Sequence, residues 1–213
     1  MIALITGASR GLGFALAEAI APHAHIVAVA RTVGGLEELD DAIKAKGGEA
    51  TLVPLDLTDA DGVSRMCLSI HERWGGIDFW AHTAAQAAPL SPAHHIAAKD
   101  FEKSMRLHGP VVADLIAKID PLLRARNGQA IYMRDDHTGE KFFGTYASAK
   151  AAETALFEAW KAETIKSGPK VQVFTPKPMP TGTRARFFPG EDRSKLTPCA
   201  DEAQRLIKDY LKA

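Results

Sequence analysis

The residues best suited to chemistry are a tyrosine and a lysine four positions apart, in Tyr146-Ala147-Ser148-Ala149-Lys150. On a helix that spacing puts both side chains on one face. An ammonium beside a phenol favours the phenolate and lowers a pKa that starts near ~10, so the tyrosine becomes a usable proton donor or acceptor near neutrality. A second pattern, Thr6-Gly7-Ala8-Ser9-Arg10-Gly11-Leu12-Gly13, lies between the apolar run Ile2-Ala3-Leu4-Ile5 and the helical stretch from Phe14 to Ile20. A strand, a glycine-rich turn and a helix start in that order can hold a pyrophosphate. The glycines let the chain bend and its amides approach, and the helix N-terminus supplies partial positive charge. The natural ligand is a dinucleotide.

Arg31-Thr32 bears on which dinucleotide. It follows the apolar run Ile26-Val27-Ala28-Val29-Ala30 at the point where an acid would select an unphosphorylated ribose. Here the charge is positive. Arg31 and Arg10 can form a cationic pair around a 2′-phosphate, with Ser9 and Thr32 adding hydrogen bonds, so NADP(H) is favoured over NAD(H). Asp56, in Leu55-Asp56-Leu57, is placed either to accept from an adenine amino group or to cap the helix that starts near Asp59. The eight histidines have no ligand spacing of the HExxH kind, and no metal site is expected. Cys67 and Cys199 are far apart and read as reduced thiols without a role.

Such residues need a scaffold that brings distant loops together, and the pattern along the chain supplies one. Short apolar runs at 2–5, 26–30, 50–55, 77–82, 129–133 and 171–175 read as strands covered on both faces. Between them Leu36, Leu39 and Ile43 mark one helical stripe, Val63, Met66, Cys67 and Ile70 another, and Val111, Leu115, Ile116 and Ile119 a third. Alternating strands and crossover helices predict an α/β fold with a doubly wound parallel sheet, its ligand held beyond the strand carboxyl ends. The loops at 6–13, 31–34, 56–59, 82–95, 134–144 and 176–198 all emerge there. With 213 residues, 46% of them apolar, one domain over 1–213 can bury its own core. Lysine plus arginine and aspartate plus glutamate are 26 each, which leaves no global field to attract nucleic acid or an anionic membrane. Met1 leads straight into the first strand, and no apolar stretch approaches the ~20 residues of a membrane helix. A cytoplasmic protein is expected.

Over nearly its whole length the chain resembles the short-chain dehydrogenases/reductases. The turn from Thr6 to Gly13, Asp56, the Tyr146/Lys150 pair and the segment from Pro176 to Thr183 recur in that family's order and approximate spacing. The resemblance implies a Rossmann-type sheet flanked by helices, here with six strands and the family's common seventh missing. That leaves a sheet edge for Lys195, Lys208 or a partner subunit to protect. It implies a bound NAD(P)(H) and hydride transfer at a small-molecule carbonyl or alcohol, with Tyr146 as proton donor and Lys150 holding the nicotinamide ribose. Thr181 or Thr183 would contact the carboxamide. The cofactor wall would comprise Gly7, Ser9, Arg10, Gly11, Leu12, Gly13, Arg31, Thr32, Asp56, Leu57, Thr83, Ala84, Tyr146, Lys150, Pro176, Thr181 and Thr183. A homodimer through helices near 99–118 and 146–166 is also implied, and the segment from Arg184 to Pro198, with Phe187 and Phe188, would form a flap over the substrate.

The chain departs from that family at several points. Its Asn-Asn-Ala-Gly after the fourth strand is here His82-Thr83-Ala84-Ala85, and Ala85 adds a Cβ where backbone should run close to the cofactor. The catalytic serine after the fifth strand is missing from Tyr132-Met133-Arg134-Asp135-Asp136-His137-Thr138. Counting forward from Ile131 puts Asp136 in its place, and counting back from Tyr146 puts Met133 there. An ionised Asp136 beside Tyr146 would raise the phenol's pKa and oppose Lys150. His137 could serve as a substitute donor and Thr138 as a substitute hydroxyl, or both are ordinary loop residues. The active-site asparagine is likewise absent, its place falling to His108 or Arg106, and the usual Pro-Gly becomes Pro176-Lys177. Two readings follow. One is an NADP(H)-dependent oxidoreductase working with Tyr146 and Lys150. The other is a catalytically impaired NADP(H)-binding protein that acts as a sensor or assembly partner.

Overall fold

The structure, a computed structural model, describes residues 1–211. Its six strands are β1 (Ile2–Thr6), β2 (His25–Ala30), β3 (Glu49–Pro54), β4 (Phe79–His82), β5 (Gln129–Met133) and β6 (Lys170–Phe174). They form one parallel sheet in the order β3-β2-β1-β4-β5-β6. The doubly wound, Rossmann-type arrangement expected from the sequence is present. The largest shift in a strand boundary is at β4, which starts at Phe79 rather than at 77.

Successive strand residues point to opposite faces, and both faces are buried. Ala3, Ile5, Ile26, Ala28 and Phe79 pack on one side beneath α1 (Gly11–Ile20), α2 (Val33–Ala45) and the C-terminal helix. Leu4, Val27, Val29, Trp80 and Tyr132 pack on the other beneath α3 (Ala60–Trp74) and the two helices that flank β5. The apolar stripes read from the sequence are the buried faces of these helices. Asp59 caps α3, its Oδ1 accepting from Gly62 N at 2.9 Å. Asp56 is not the cap, because its Oδ1 is taken by Thr58 N and Thr58 Oγ1 at 2.9 and 2.8 Å.

After β4 the chain enters α4 (Ala98–His108), which breaks at Gly109 and restarts as α5 (Pro110–Arg124). Pro110 suits a first helical position because it has no N–H to leave unpaired. His108 lies one turn after Ser104 on the inward face of α4, and both are buried. After β5 comes α6 (Gly144–Thr164), which carries Tyr146 and Lys150. The chain then forms β6, the short α7 (Gly182–Phe187) and α8 (Cys199–Tyr210).

β6 is an edge strand, and α8 covers it. Tyr210 OH donates to Val173 O at 3.4 Å, while the Arg205 guanidinium lies over the Phe174 ring at 4.2 Å and donates to Thr175 O. These two side chains, rather than Lys195 or Lys208, shield the edge, because the helix register turns them toward the strand. Among the described residues no helix is long and apolar enough to cross a membrane.

The turn between β1 and α1 is closed by backbone. A Cβ on Gly13 would lie 2.5 Å from Gly7 O and would also strike Thr83 Oγ1, whereas one on Gly34 in α2 would meet nothing within 4 Å. Gly13→Ala is therefore expected to destabilise the fold by about 1–3 kcal/mol through overpacking. Gly34→Ala is expected to be neutral or to stabilise by up to about 1 kcal/mol through helix propensity. Urea denaturation of the two variants checks both signs.

Candidate functional site

A cavity of about 780 Å³ opens at the carboxyl ends of the strands, beside the point between β1 and β4 where the strand order reverses. One end is the glycine turn. Gly7 has φ +90°, and a Cβ there would lie 2.6 Å from Ala84 N, so the loop after β4 presses directly on the turn. Thr83 Oγ1 donates to Thr6 O at 2.9 Å, which clamps the two segments together. Gly11 has φ +63°, and its Cβ would meet only Thr181, at 3.4 Å. Arg10 precedes α1 with extended backbone and gives it no side-chain cap, so the opening amides of the helix remain available to a ligand.

The cavity wall brings together Gly7, Ser9, Arg10, Gly11, Leu12, Gly13, Arg31, Thr32, Asp56, Leu57, Thr83 and Ala84 with Tyr146, Lys150, Pro176, Thr181 and Thr183. The cationic pair anticipated from Arg10 and Arg31 is not assembled. Arg31 Nη1 lies 3.7 Å from Asp56 Oδ2, while Arg10 Nη1 reaches to 3.9 Å from where a Cβ on Gly182 would sit. The Thr181 hydroxyl is engaged as the cap of α7, accepting from Arg184 N at 3.2 Å. The backbone of Lys177 is fixed by a buried acid of α8, Glu202, whose Oε2 accepts from Lys177 N at 3.0 Å.

At the opposite end Tyr146 is 2% exposed and its hydroxyl donates to Asp135 Oδ2 at 2.7 Å. Asp136, the residue reached by counting forward from Ile131, instead turns to solvent and accepts from Thr138 N at 2.9 Å. The loop after β5 is one residue tighter than that count assumes, so the carboxylate on the phenol belongs to Asp135. Burial pushes the Tyr146 phenol well above its ordinary value, and the charge and hydrogen bond of Asp135 push it further. This reverses the lowering by Lys150 expected from the spacing. Phe187 and Phe143 close the site, with ring centroids 4.8 Å from Tyr146 for Phe187 and 5.0 Å between the two phenylalanines. The segment expected to be a flap is therefore packed over the phenol.

Lys150 is held from behind by Glu153, which is fully buried. Lys150 Nζ donates to Glu153 Oε2 at 2.8 Å and to Met133 O at 3.1 Å, and lies over the Tyr132 ring at 4.6 Å. His108 Nδ1 donates to the same Oε2 at 2.7 Å, with its Nε2 3.5 Å from Gln86 N. His82 completes the group. Its Nε2 is 3.0 Å from Glu153 Oε1, a contact misaligned for a hydrogen bond, and its Nδ1 is 2.8 Å from Thr6 Oγ1. Burial pulls the Glu153 carboxyl upward, but the Lys150 charge and the neighbouring histidines outweigh it, so it lies well below the usual range. Burial likewise lowers Lys150, and the Glu153 charge overrides it upward. The two remain a charged pair.

Residues 1–192 match the sequence model of the short chain dehydrogenase family. The chain belongs to that family. Among curated relatives, a fatty acyl-CoA reductase of Acinetobacter baylyi is 33% identical over 172 residues, which cover 78% of this chain and 58% of the relative. An uncharacterized oxidoreductase of Mycobacterium bovis is 31% identical over 224 residues, covering 99% of this chain and 63% of the relative. The chain thus spans about six tenths of the length of these two relatives. Among solved structures, an alcohol dehydrogenase from Thermococcus sibiricus complexed with 5-hydroxy-NADP shares the fold. Its TM-score is 0.85 at 24% identity, covering all of this chain and 91% of that one.

Of the two candidates for the missing asparagine in this member of the family, His108 is the buried one. Arg106 is exposed at the cavity rim and donates to Thr58 O at 3.4 Å. Sequence reasoning did not single out Glu153, though a signal was present: Tyr146, Lys150 and Glu153 fall at i, i+4 and i+7 on one helical stripe. An acid on the buried stripe of α6 needs a cation, and Lys150 is one turn away.

Glu153→Gln leaves the buried Lys150 ammonium without a counter-charge, and a loss of about 3–5 kcal/mol in folding stability is expected. Because the folded Glu153 carboxyl is lowered, its contribution is complete above the ordinary value near ~4.3 and is lost as pH falls through the folded value. Urea titrations across an acid pH series should show a shallower acid-side loss for Glu153→Gln than for the wild type.

Proposed function

We propose that this short-chain dehydrogenase is an NADP(H)-dependent oxidoreductase that moves a hydride between the nicotinamide and a carbonyl or alcohol carbon, with Tyr146 passing the proton. The observation that carries this reading is the single cavity that joins the glycine turn to the Tyr146 and Lys150 side chains. The residues fit the cofactor at its phosphate end: Gly11 opens the first turn of α1, and no side chain fills the space above the helix amides. When bound, the nicotinamide supplies or accepts the hydride. The chain itself binds the phosphates through α1, excludes water with Phe187, and holds the Tyr146 hydroxyl toward the cavity. The Acinetobacter baylyi relative, a fatty acyl-CoA reductase, is of the same reaction class.

Preference for the phosphorylated cofactor rests on Arg31. Its contact with Asp56 joins two groups that are 59% and 46% exposed, and such surface pairs contribute about 0–1 kcal/mol. A 2′-phosphate offers a stronger, charge-assisted partner and can draw the guanidinium away. The free thiols of Cys67 and Cys199 suit a reducing compartment, which supports a cytoplasmic location.

One observation favours the second reading, a nicotinamide-binding protein without turnover. Tyr146 is bonded to Asp135, and Lys150 is bonded to Glu153 and Met133 O. Fluorescence titration with NADPH and NADH, followed by a carbonyl panel read as loss of NADPH absorbance, separates the two. NADPH binding with turnover is expected, and Tyr146→Phe should abolish turnover while leaving NADPH affinity within about twofold. Binding without turnover on a broad panel selects the second reading, and absence of binding overturns both. Arg31→Ala is expected to weaken NADPH binding by about 10–100-fold, the loss of a hydrogen bond to a charged group, and to leave NADH binding unchanged.

A further inference from the structure

A chain of polar contacts leads from the buried phenol to the surface through residues that the Tyr146/Lys150 scheme does not use. Tyr146 OH donates to Asp135 Oδ2 at 2.7 Å. Asp135 Oδ1 lies 3.2 Å from His137 Nε2, and His137 Nδ1 lies 3.0 Å from Glu140 Oε2. Both histidine contacts are at ion-pair distance but misaligned for a hydrogen bond, and His137 Nδ1 has no other partner. Side-chain exposure is 44% at Asp135, 11% at His137 and 49% at Glu140, so Asp135 already meets the open cavity. The His137 ring is stacked on Phe143 with centroids 4.2 Å and planes 10° apart, and Phe187 and Phe188 flank it. An imidazole held between two carboxylates with its rotation blocked is suited to passing protons.

The need for a proton acceptor beside the phenol follows from the groups around Tyr146. Asp135 faces the phenol from the loop after β5, and His108 presents its ring edge from α4 at 6.2 Å. Tyr132 of β5 and Glu153 of α6 add to the upward push on the phenol. The Lys150 ammonium is committed to Glu153, and the Arg184 guanidinium of α7 is paired with Glu191. A phenol in these surroundings does not hold negative charge. It can take a proton only as it releases its own, and the acceptor at hydrogen-bond distance is Asp135.

Building on the oxidoreductase reading above, we propose that Asp135 is the proton-accepting partner of Tyr146 and that it exchanges protons with the open cavity and with His137, in place of the missing serine and asparagine. In alcohol oxidation the substrate O–H bond breaks and its proton goes to Tyr146 Oη, while the phenolic proton passes to Asp135 Oδ2. The C–H bond breaks with its electron pair, which leaves as hydride to the oxidised nicotinamide, and the carbonyl forms. In reduction the hydride comes from the reduced nicotinamide and the carbonyl oxygen takes the phenolic proton. Asp135 then returns a proton received through His137.

The test uses the full chain with NADP(H) and whichever carbonyl or alcohol the panel turns over, measuring kcat, KM and the pH profile of oxidation, with NADPH affinity alongside. Asp135→Asn is nearly isosteric and sits in a half-exposed loop. It is expected to lower kcat by about 100-fold, the scale of one acid–base group, without moving KM or NADPH affinity. His137→Asn should lower kcat by a smaller factor. In the cofactor-free protein, proton NMR should show an exchange-protected hydroxyl resonance in the wild type that is absent in both Tyr146→Phe and Asp135→Asn. An active wild type whose Asp135→Asn variant keeps its rate overturns the relay alone. So does the absence of the protected hydroxyl resonance from the wild type. A wild type that binds NADPH and turns over nothing overturns the relay together with the oxidoreductase reading.

Discussion

The substrate end of this molecule is organised around one carboxylate that water does not reach. Glu153 on α6 meets Lys150 from its own helix, His108 from the broken end of α4 and His82 from the end of β4. A buried acid without a counter-charge costs several kcal/mol, so the three elements cannot move apart without exposing or stranding the charge. His108 reaches Glu153 Oε2 from the buried face of α4 that it shares with Ser104. Thr6 extends the network to β1 through His82, which links the site to the first strand of the sheet.

This arrangement changes what the Tyr146/Lys150 spacing means. A lysine one helical turn from a tyrosine normally invites the inference that it tunes the phenol, because distance alone makes the two groups interact. Here a stronger partner is closer, and the ammonium is spent on Glu153 and a strand carbonyl. What remains around the phenol is apolar surface and the Asp135 carboxylate, and both raise its pKa. The same two residues therefore sit on a different electrostatic background, set by Asp135 and Glu153.

The scaffold was legible in the sequence because it follows from periodicity. Apolar runs such as Ile26-Val27-Ala28-Val29-Ala30 can only be doubly covered strands, and the spacing of Leu36, Leu39 and Ile43 gives one buried helix face. The phosphate end was legible because glycine turns have local rules. The far end was not, for physical reasons. Whether Asp135 or Asp136 meets Tyr146 depends on one residue of loop length, and neither composition nor spacing fixes that. The partners of Glu153 come from residues 45 and 71 positions away, at His108 and His82, so no local pattern joins them. The burial of His108 rather than Arg106 is also decided by packing, not by residue type.

The glycine turn shows how far a motif can speak for a ligand. Gly7 and Gly13 are required by the protein itself, since a side chain on the first would strike Ala84 and on the second the carbonyl of Gly7. Any chain that folds with this loop pressed against β1 needs them, whether or not a nucleotide binds. Gly11 differs, because a Cβ there would touch only the Thr181 methyl and otherwise project into open space at the first turn of α1. Its φ of +63° also places the backbone in the left-handed region, where a side chain adds strain. The two packing glycines, and Gly11 through its φ, therefore answer to the fold. The open space beside Gly11 and the helix amides that no side chain caps leave room for a phosphate, and the cofactor reading rests on that smaller observation.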